Sequence, residues 1–389
     1  MKTLFNWQEE AMLSLYENNK LTSGIIEAVT GSGKTMLGLS IINDNSTKKI
    51  LVITPTIVLA KQWFDEIIKY KLSTSNNLGI YYSRYKKIGD ITVAVINSIR
   101  NINLVFLEQF DIVIVDECHH LPSDKNIKIF EKLKNKVIIG LTSVLQREDG
   151  RHILLDLPVK YRYTHIEATK EKVISDFIII VKYLDLLEDE KLEYGKINSF
   201  INSYFKEFNY DFNTVKQCIT NPVATELMRG FQKRKNIIYN SKAKIIEVFK
   251  ILNFSNYNKS IIFTETKEMA NKLSEFLIKN NIKNNVYKSD SEKVLKDIII
   301  EDFKNGFFNV LISPKCLDEG VDLPECDLGI IVSGSSTKRQ FIQRIGRILR
   351  KKDNIAKLYI LCCRNTVEEK WINKYLKNID KNKVIYNEN

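Results

Sequence analysis

The sequence predicts an α/β protein made of two similar-sized parallel-sheet units on either side of a helical middle. Three observations carry this. Short β-branched runs alternate with helical patterns in both halves of the chain. The runs are apolar from end to end, as strands covered on both faces are. The alternation lapses between 171 and 235. A chain of 389 residues is also too long for one ordinary core.

In the first half the strand candidates are 24–29 (GIIEAV), 50–54 (ILVIT), 91–96 (ITVAVI), 111–116 (DIVIVD) and 137–142 (VIIGLT). Helical patterns cover 34–43, 57–70 and 126–135. The middle, apart from 173–183 (VISDFIIIVKY), is polar, aromatic and helical in period, as in TVKQCI and ATELMRGFQKRKNI. It reads as a connector or insertion. Strands then return at 260–264, 284–287, 309–313, 328–333 and 357–361, with helices at 267–280, 291–305, 337–350 and 366–377. The expected domains are 1–170, 171–235 and 236–389. A ligand cleft between the two sheet units follows from the tendency of ligands to bind where strand C-termini face a crevice.

Hydrophobic content of 44% and charged content of 27% are globular values. No apolar run is long enough to cross a bilayer. The opening MKTLFNWQEEAM meets acidic residues before any apolar stretch, unlike a secretory signal. The six cysteines show no CxxC spacing, which argues against a zinc site or disulfide framework and for a reducing, cytoplasmic setting. A net charge of +12 permits a polyanionic partner. The wealth of Lys, Asn and Ile is also what an AT-rich genome would produce.

Residues 28–35, AVTGSGKT, follow a strand and open a helix. Gly31 and Gly33 let backbone N–H groups converge on an anion, together with Thr30 and Ser32, and the helix N-terminus adds its dipole. Lys34 can reach β- and γ-phosphates, and Thr35 can hold Mg²⁺. Ala28 stands where the G-x-x-x-x-G-K-[ST] pattern has its first glycine. The strand DIVIVDECHH (111–120) ends in Asp116 and Glu117, adjacent carboxylates that a cation would stabilise. Asp116 would bind Mg²⁺ and Glu117 would activate water. Together these stretches point to nucleotide hydrolysis.

Of twelve arginines in a lysine-rich chain, four (Arg339, Arg344, Arg347, Arg350) fall within KRQFIQRIGRILR (338–350). Arg offers a planar fork that grips phosphate oxygens in fixed geometry, so this concentration suggests a phosphate held in one place. Residues 344, 347 and 350 share one face of a helix.

These motifs, in this order, resemble the superfamily 2 helicases. Gln8 in LFNWQEEA matches the glutamine used near adenine, and TPTIVLAKQW (54–63) is similar to the motif that contacts the nucleic-acid backbone. LISPKCLDEGVDLPECD (311–327) resembles motif V, which contains Asp322, and QRIGRILR (343–350) resembles motif VI. The resemblance implies two RecA-like domains with an ATP cleft between them. It also implies Arg347 and Arg350 at the γ-phosphate as an arginine finger, with Gln343 and Arg344 bracing the interface. Asp322 and Arg344 join the nucleotide-binding set and Gln343 the catalytic set. GLTSVLQREDG (140–150) is most similar to the XPB branch, where motif III is closely followed by an Arg-Glu-Asp triplet associated with opening duplex DNA; here that is Arg147-Glu148-Asp149. Val144 departs from the hydroxyl-bearing residue usual in motif III, and 171–235 is the counterpart of a thumb-like helical element.

The resemblance thus implies an ATP-dependent DNA helicase or translocase, 3′→5′, using ATP and Mg²⁺ on duplex or forked DNA without sequence preference. Thr56, Lys61 and Ser98 are the backbone-contact candidates in the first domain, Thr264 and Ser313 in the second. A nuclease or a transcription or repair protein would be a further partner, and no membrane is expected. An RNA helicase and an ATP-gated DNA clamp are the alternatives; a dead ATPase scaffold would not need Lys34, Asp116, Glu117, Arg347 and Arg350.

Overall fold

The computed structural model describes residues 3–387 apart from 75–76, 101, 103, 148, 175, 219, 289, 315–322, 325, 334–354 and 378. The expected helix 337–350 lies outside the described residues. The chain divides into two compact units, and the change falls between Asp176 and Phe177.

The first unit contains a small hairpin, β1 (Tyr16–Glu17) and β2 (Lys20–Leu21), and eight further strands. These are β3 (Gly24–Ala28), β4 (Ile50–Thr54), β5 (Leu78–Tyr82), β6 (Tyr85–Lys87), β7 (Ile91–Val95), β8 (Ile112–Asp116), β9 (Val137–Thr142) and β10 (Val159–Tyr163). They form one sheet in the order β10-β3-β9-β8-β4-β7-β5-β6. All pairings are parallel except that β6 turns back on β5. Strands β4, β7 and β8 are buried along their whole length, as their Ile/Val-rich runs require. Helices α1 (Asn6–Ser14), α2 (Lys34–Asp44), α3 (Ile57–Lys69), α4 (Ile96–Ile99), α5 (Leu104–Glu108), α6 (Ile127–Leu133) and α7 (His165–Lys170) connect and cover the strands. Helix α3 shows why the elements lie where they do. Thr56 caps its N-terminus by accepting the Leu59 N–H, and Ala60, Trp63 and Ile67 recur on one face to meet the core.

The second unit is an all-parallel sheet of β11 (Phe177–Leu184), β12 (Ser260–Thr264), β13 (Asn284–Val286), β14 (Val310–Pro314), β15 (Leu328–Ile331), β16 (Ala356–Cys363) and β17 (Val384–Asn387). Its order is β13-β14-β12-β15-β16-β11-β17. Its helices are α8 (Glu188–Phe205), α9 (Phe212–Gln217), α10 (Pro222–Tyr239), α11 (Lys242–Phe254), α12 (Lys267–Lys279), α13 (Lys293–Asn305) and α14 (Val367–Leu376).

The expected boundaries at 170/171 and 235/236 need correction. Residues 177–184 pair in full register with β16, from Phe177↔Ala356 to Leu184↔Cys363, so the run sits inside the second sheet. The helices that follow, α8 to α10, are therefore an excursion within this unit. They close on a core of their own: Ile201, Phe208, Val215, Ala224, Leu227 and Phe231. Among the described residues, no helix is long and apolar enough to cross a membrane.

Candidate nucleotide site in the first unit

Strand β3 delivers the chain to a loop in which Gly31 and Gly33 take left-handed φ values of 84° and 97°, which L side chains rarely adopt. Gly33 is the N-cap of α2, so the loop feeds directly into a helix N-terminus. A Cβ on Gly33 would lie 2.8 Å from Gln8 Nε2. Lys34 is folded back over the loop, its Nζ donating to the carbonyls of Ala28 (2.9 Å) and Val29 (3.3 Å). Buried Ser32 donates to Val29 O at 2.7 Å. Thr30 Oγ1 is buried without a hydrogen-bond partner. Thr35 is half-buried in the first turn of α2. Gln8 reaches the loop from α1: its Nε2 donates to Gly33 O at 2.9 Å and its Oε1 accepts the Phe5 N–H at 2.8 Å. The structure gives Gln8 a bracing task, with both amide ends engaged by backbone at the phosphate loop.

Asp116 and Glu117 leave β8 toward this loop, two strands from β3 in the sheet order. Asp116 Oδ1 accepts the Glu117 N–H (3.0 Å) and Oδ2 accepts the indole N–H of Trp63 (2.9 Å). Burial, and then the charge of Glu117, push Asp116 up to about 6 against the pull of Trp63 and Lys34. Burial also acts upward on Glu117. The hydrogen bond and charge of His119, then Lys34 and His120, outweigh it and bring Glu117 down to about 2. Glu117 holds φ 50°, ψ 51°, a left-handed conformation that costs a non-glycine residue about 1–3 kcal/mol and marks functional sites. His119 Nδ1 lies 3.2 Å from Glu117 Oε2 and 3.0 Å from Thr142 Oγ1. His165, at the start of α7, is lowered to about 4 by burial and then by the charge of Lys34, so it stays neutral there.

A triphosphate and a hard cation fit these groups. The left-handed glycines and helix N-terminus form an anion cradle, and the Thr30 hydroxyl is an unused polar group in it. Asp116 is buried beside half-buried Glu117, and burial with the Glu117 charge raises it strongly, so a cation there would be favoured. No cluster of three or more His, Cys, Asp or Glu able to hold a metal occurs among the described residues. Mg²⁺ keeps waters and substrate phosphates as ligands and needs only one or two protein oxygens, which Asp116 and Thr35 would supply.

The loop after β9 is tied to the same place. Thr142 Oγ1 donates to Val144 O (3.1 Å) and accepts the Val144 N–H (3.3 Å), while the Val144 side chain is buried. The tie from this motif to His119 thus runs through Thr142, and a valine at 144 leaves it intact. Arg147 donates from Nη1 to His119 O (2.8 Å) and grips Asp149 with Nε (2.9 Å) and Nη2 (2.7 Å). Both residues expected at DNA are engaged with the protein itself.

Among the other backbone-contact candidates, Lys61 is exposed on α3 and Ser98 is half-buried in α4. In the second unit Thr264 and Ser313 are buried at strand ends, and the Thr264 hydroxyl donates to Thr266 O at 3.0 Å. Neither presents a surface to a phosphate, which corrects that expectation. Glu148, Asp322, Gln343, Arg344, Arg347 and Arg350 lie outside the described residues. The sequence reading missed Trp63, His119 and His165. The only signal for Trp63 was its place at the end of the quoted motif 54–63.

The family described as Type III restriction enzyme, res subunit, matches residues 1–147, and the Helicase conserved C-terminal domain matches 241–352. The DNA 3′-5′ translocase XPB2 of Sulfurisphaera tokodaii is 32% identical over 375 residues, which are 94% of this chain and 82% of that protein. The DNA 3′-5′ helicase XPB of Kineococcus radiotolerans is 24% identical over 377 residues, 93% of this chain but 60% of that longer protein. Among solved structures, the Pyrococcus furiosus Hef helicase domain matches at a TM-score of 0.60 and 18% identity, covering 95% of this chain and 97% of that one. S. cerevisiae Dbp5 bound to RNA and ADP BeF3 matches at 0.65 and 15%, covering 100% and 90%. At such identities the structures speak for the fold alone, two RecA-like domains with parallel sheets flanked by helices. The chain belongs to the XPB family of superfamily 2 helicases, a family that uses ATP.

Proposed function

We propose that this chain hydrolyses ATP with Mg²⁺ to translocate on, or unwind, double-stranded DNA in the 3′→5′ sense. The observation that carries the reading is the phosphate loop set beside buried Asp116 and its neighbour Glu117, in a chain 32% identical to a named DNA 3′-5′ translocase. The backbone of 30–33 and the N-terminus of α2 would hold the phosphates, with Lys34 turning from its carbonyl partners to the β- and γ-oxygens. Asp116 and Thr35 would hold Mg²⁺, which would neutralise charge at those phosphates. Glu117, kept ionised by His119, orients the attacking water and takes its proton. Arg347 and Arg350 would stabilise the charge that spreads over the γ-phosphate, with Gln343, Arg344 and Asp322 in supporting roles. DNA would be held through its backbone, so affinity should fall steeply with salt and little with sequence.

The test is ATP hydrolysis measured side by side on duplex DNA, single-stranded DNA and RNA, followed by displacement of a triplex-forming strand. Stimulation by DNA with strand displacement supports the motor. Stimulation without displacement favours an ATP-gated clamp, and stronger stimulation by RNA would overturn the DNA assignment. Lys34→Ala should abolish hydrolysis, and Arg347→Ala should lower kcat by about 10³-fold or more if it acts as an arginine finger.

A further inference from the structure

We propose that Trp63 is a positioning residue that couples nucleic acid on α3 to the Asp116 carboxylate. The inference rests on the motor reading above and names how DNA would regulate that site. One helix carries both ends of the link. Thr56 at its N-cap and exposed Lys61 are the candidates for the backbone of the nucleic acid. Two turns on, Trp63 is fully buried and directs its N–H to Asp116 Oδ2 at 2.9 Å. The Glu117 N–H holds the other oxygen, so these two donors fix the carboxylate plane. The indole ring is wedged as well. A methyl on Gly38 of α2 would collide with Trp63 Cη2 and come within 3.3 Å of Leu141 Cδ1. Trp63 thus touches the helix that begins at the phosphate loop and, through its nitrogen, the carboxylate at the end of β8. A shift of α3 moves the donor on which Asp116 depends.

Packing alone does not explain a tryptophan here. In the second unit α12 repeats the same corner: Ala270, Leu273 and Leu277 are fully buried where α3 has Ala60, Trp63 and Ile67, counted from Thr266 and Thr56. Leucine fills the corresponding place, so the scaffold requires an apolar residue and not an indole N–H.

The experiment compares wild type with Trp63→Phe, which keeps an aromatic side chain but removes the donor together with the outer ring atoms that meet Gly38. Outer-sphere partners of metal ligands typically change metal affinity or activity 10–100-fold. The half-saturating Mg²⁺ concentration for hydrolysis should therefore rise about tenfold or more, and stimulation by duplex DNA should fall toward none. The melting temperature without nucleotide should fall by only the few degrees such a cavity costs, while a packing loss alone would leave the Mg²⁺ dependence unchanged. A second measurement is independent of that variant. Trp7 Nε1 is buried without a partner, so Trp7→Phe is mild, and with Trp371→Phe it leaves Trp63 as the sole tryptophan. Its emission should change when Mg²⁺ and a non-hydrolysable ATP analogue are added, and again with duplex DNA. Unchanged Mg²⁺ dependence and DNA stimulation in Trp63→Phe would overturn the link while leaving the motor reading in place, as would emission indifferent to DNA. A wild-type chain that no nucleic acid stimulates would remove both.

Discussion

The two units build the same corner from different chemistry. In the first, β4 passes through Thr54-Pro55-Thr56 into α3; in the second, β12 passes through Thr264-Glu265-Thr266 into α12. In each, the buried threonine donates its hydroxyl to the carbonyl two residues on, at 3.1 Å from Thr54 and 3.0 Å from Thr264. In each, the second threonine caps the helix, accepting the N–H of Leu59 at 3.3 Å or Met269 at 3.0 Å. The corners part at the seventh residue after the cap, Trp63 against Leu273. The fold sets the position and its burial, and only the site calls for a donor there. The same register corrects a residue choice. Thr264 is the counterpart of the structural Thr54, and the counterpart of Thr56 is Thr266.

Buried charge differs between the units in the same sense. In the second, Lys244 and Glu368 are fully buried, and Lys244 Nζ donates to both Glu368 oxygens at 2.9 Å and to Ser333 Oγ at 3.0 Å. Glu368 Oε2 also accepts the Cys363 N–H at 2.8 Å, so the cluster is closed. In the first, burial and the adjacent charge of Glu117 raise Asp116 to about 6 against the pull of Trp63 and Lys34, a perturbation typical of functional sites. The largest expected effect follows from that contrast. Glu368→Leu strands a buried ammonium and should cost about 3–5 kcal/mol in urea unfolding, while adding Lys244→Met should restore most of it. Burial alone would lower the pKa of Lys244, but the nearby cysteines and Glu368 leave it raised. The pair's contribution therefore persists at neutral pH and fades only as pH climbs past the ordinary lysine range. Hydrolysis per folded molecule should be unchanged in the double variant. A fall in kcat would break the contrast.

Next in size is Leu273→Ala, which should cost about 2–5 kcal/mol through the cavity it leaves, with no change in Mg²⁺ dependence. Trp63→Phe should combine a cavity loss with a large change in Mg²⁺ dependence, and only the second distinguishes the corners. If Leu273→Ala also shifted the Mg²⁺ requirement, the seventh position would be a matter of packing in both corners.

Much of this was legible because it is local. The central strands of both sheets are Ile/Val runs buried on two faces, and the phosphate loop is a continuous motif. The strands that escaped notice lie toward sheet edges, where exposure mixes the pattern: β6 is exposed throughout, and β10 reads VKYRY with only Tyr163 buried. The run 173–183 was visible as apolar, but its pairing with β16 spans a separation that periodicity cannot register. Trp63 and Asp116 stand 53 positions apart, and Gln8 and Gly33 25 apart, so no spacing rule joins them.

Smaller effects test whether the corners are equal apart from that seventh residue. Thr54→Val and Thr264→Val each remove one buried hydroxyl-to-carbonyl hydrogen bond and should cost about 0.5–1.5 kcal/mol alike. Neither should alter the salt dependence of DNA binding, since neither hydroxyl reaches the surface. Lys61→Ala should leave stability nearly unchanged and reduce the slope of log K against log salt by about one phosphate contact. Equal slopes in wild type and Lys61→Ala would remove α3 from the DNA track.

The smallest effect belongs to the exposed charges of the first unit. The Arg147 hydrogen bonds, against a modest upward push from burial, bring Asp149 down to about 2. A lowered carboxylate contributes stability above its ordinary value near ~3.9 and loses it as pH falls toward 2. The Asp149 side chain is 40% exposed, so solvent screening keeps that contribution below about 1 kcal/mol. Carboxyl-carbon NMR should follow Asp149 titrating near 2 in the wild type and rising toward ~3.9 once Arg147→Met removes the fork, with the Arg151 N–H and charge still holding it below that value. If instead Asp149 already titrates at its ordinary value in the wild type, Arg147 is not held by it. The arginine would then be available to DNA, as its place after motif III first suggested.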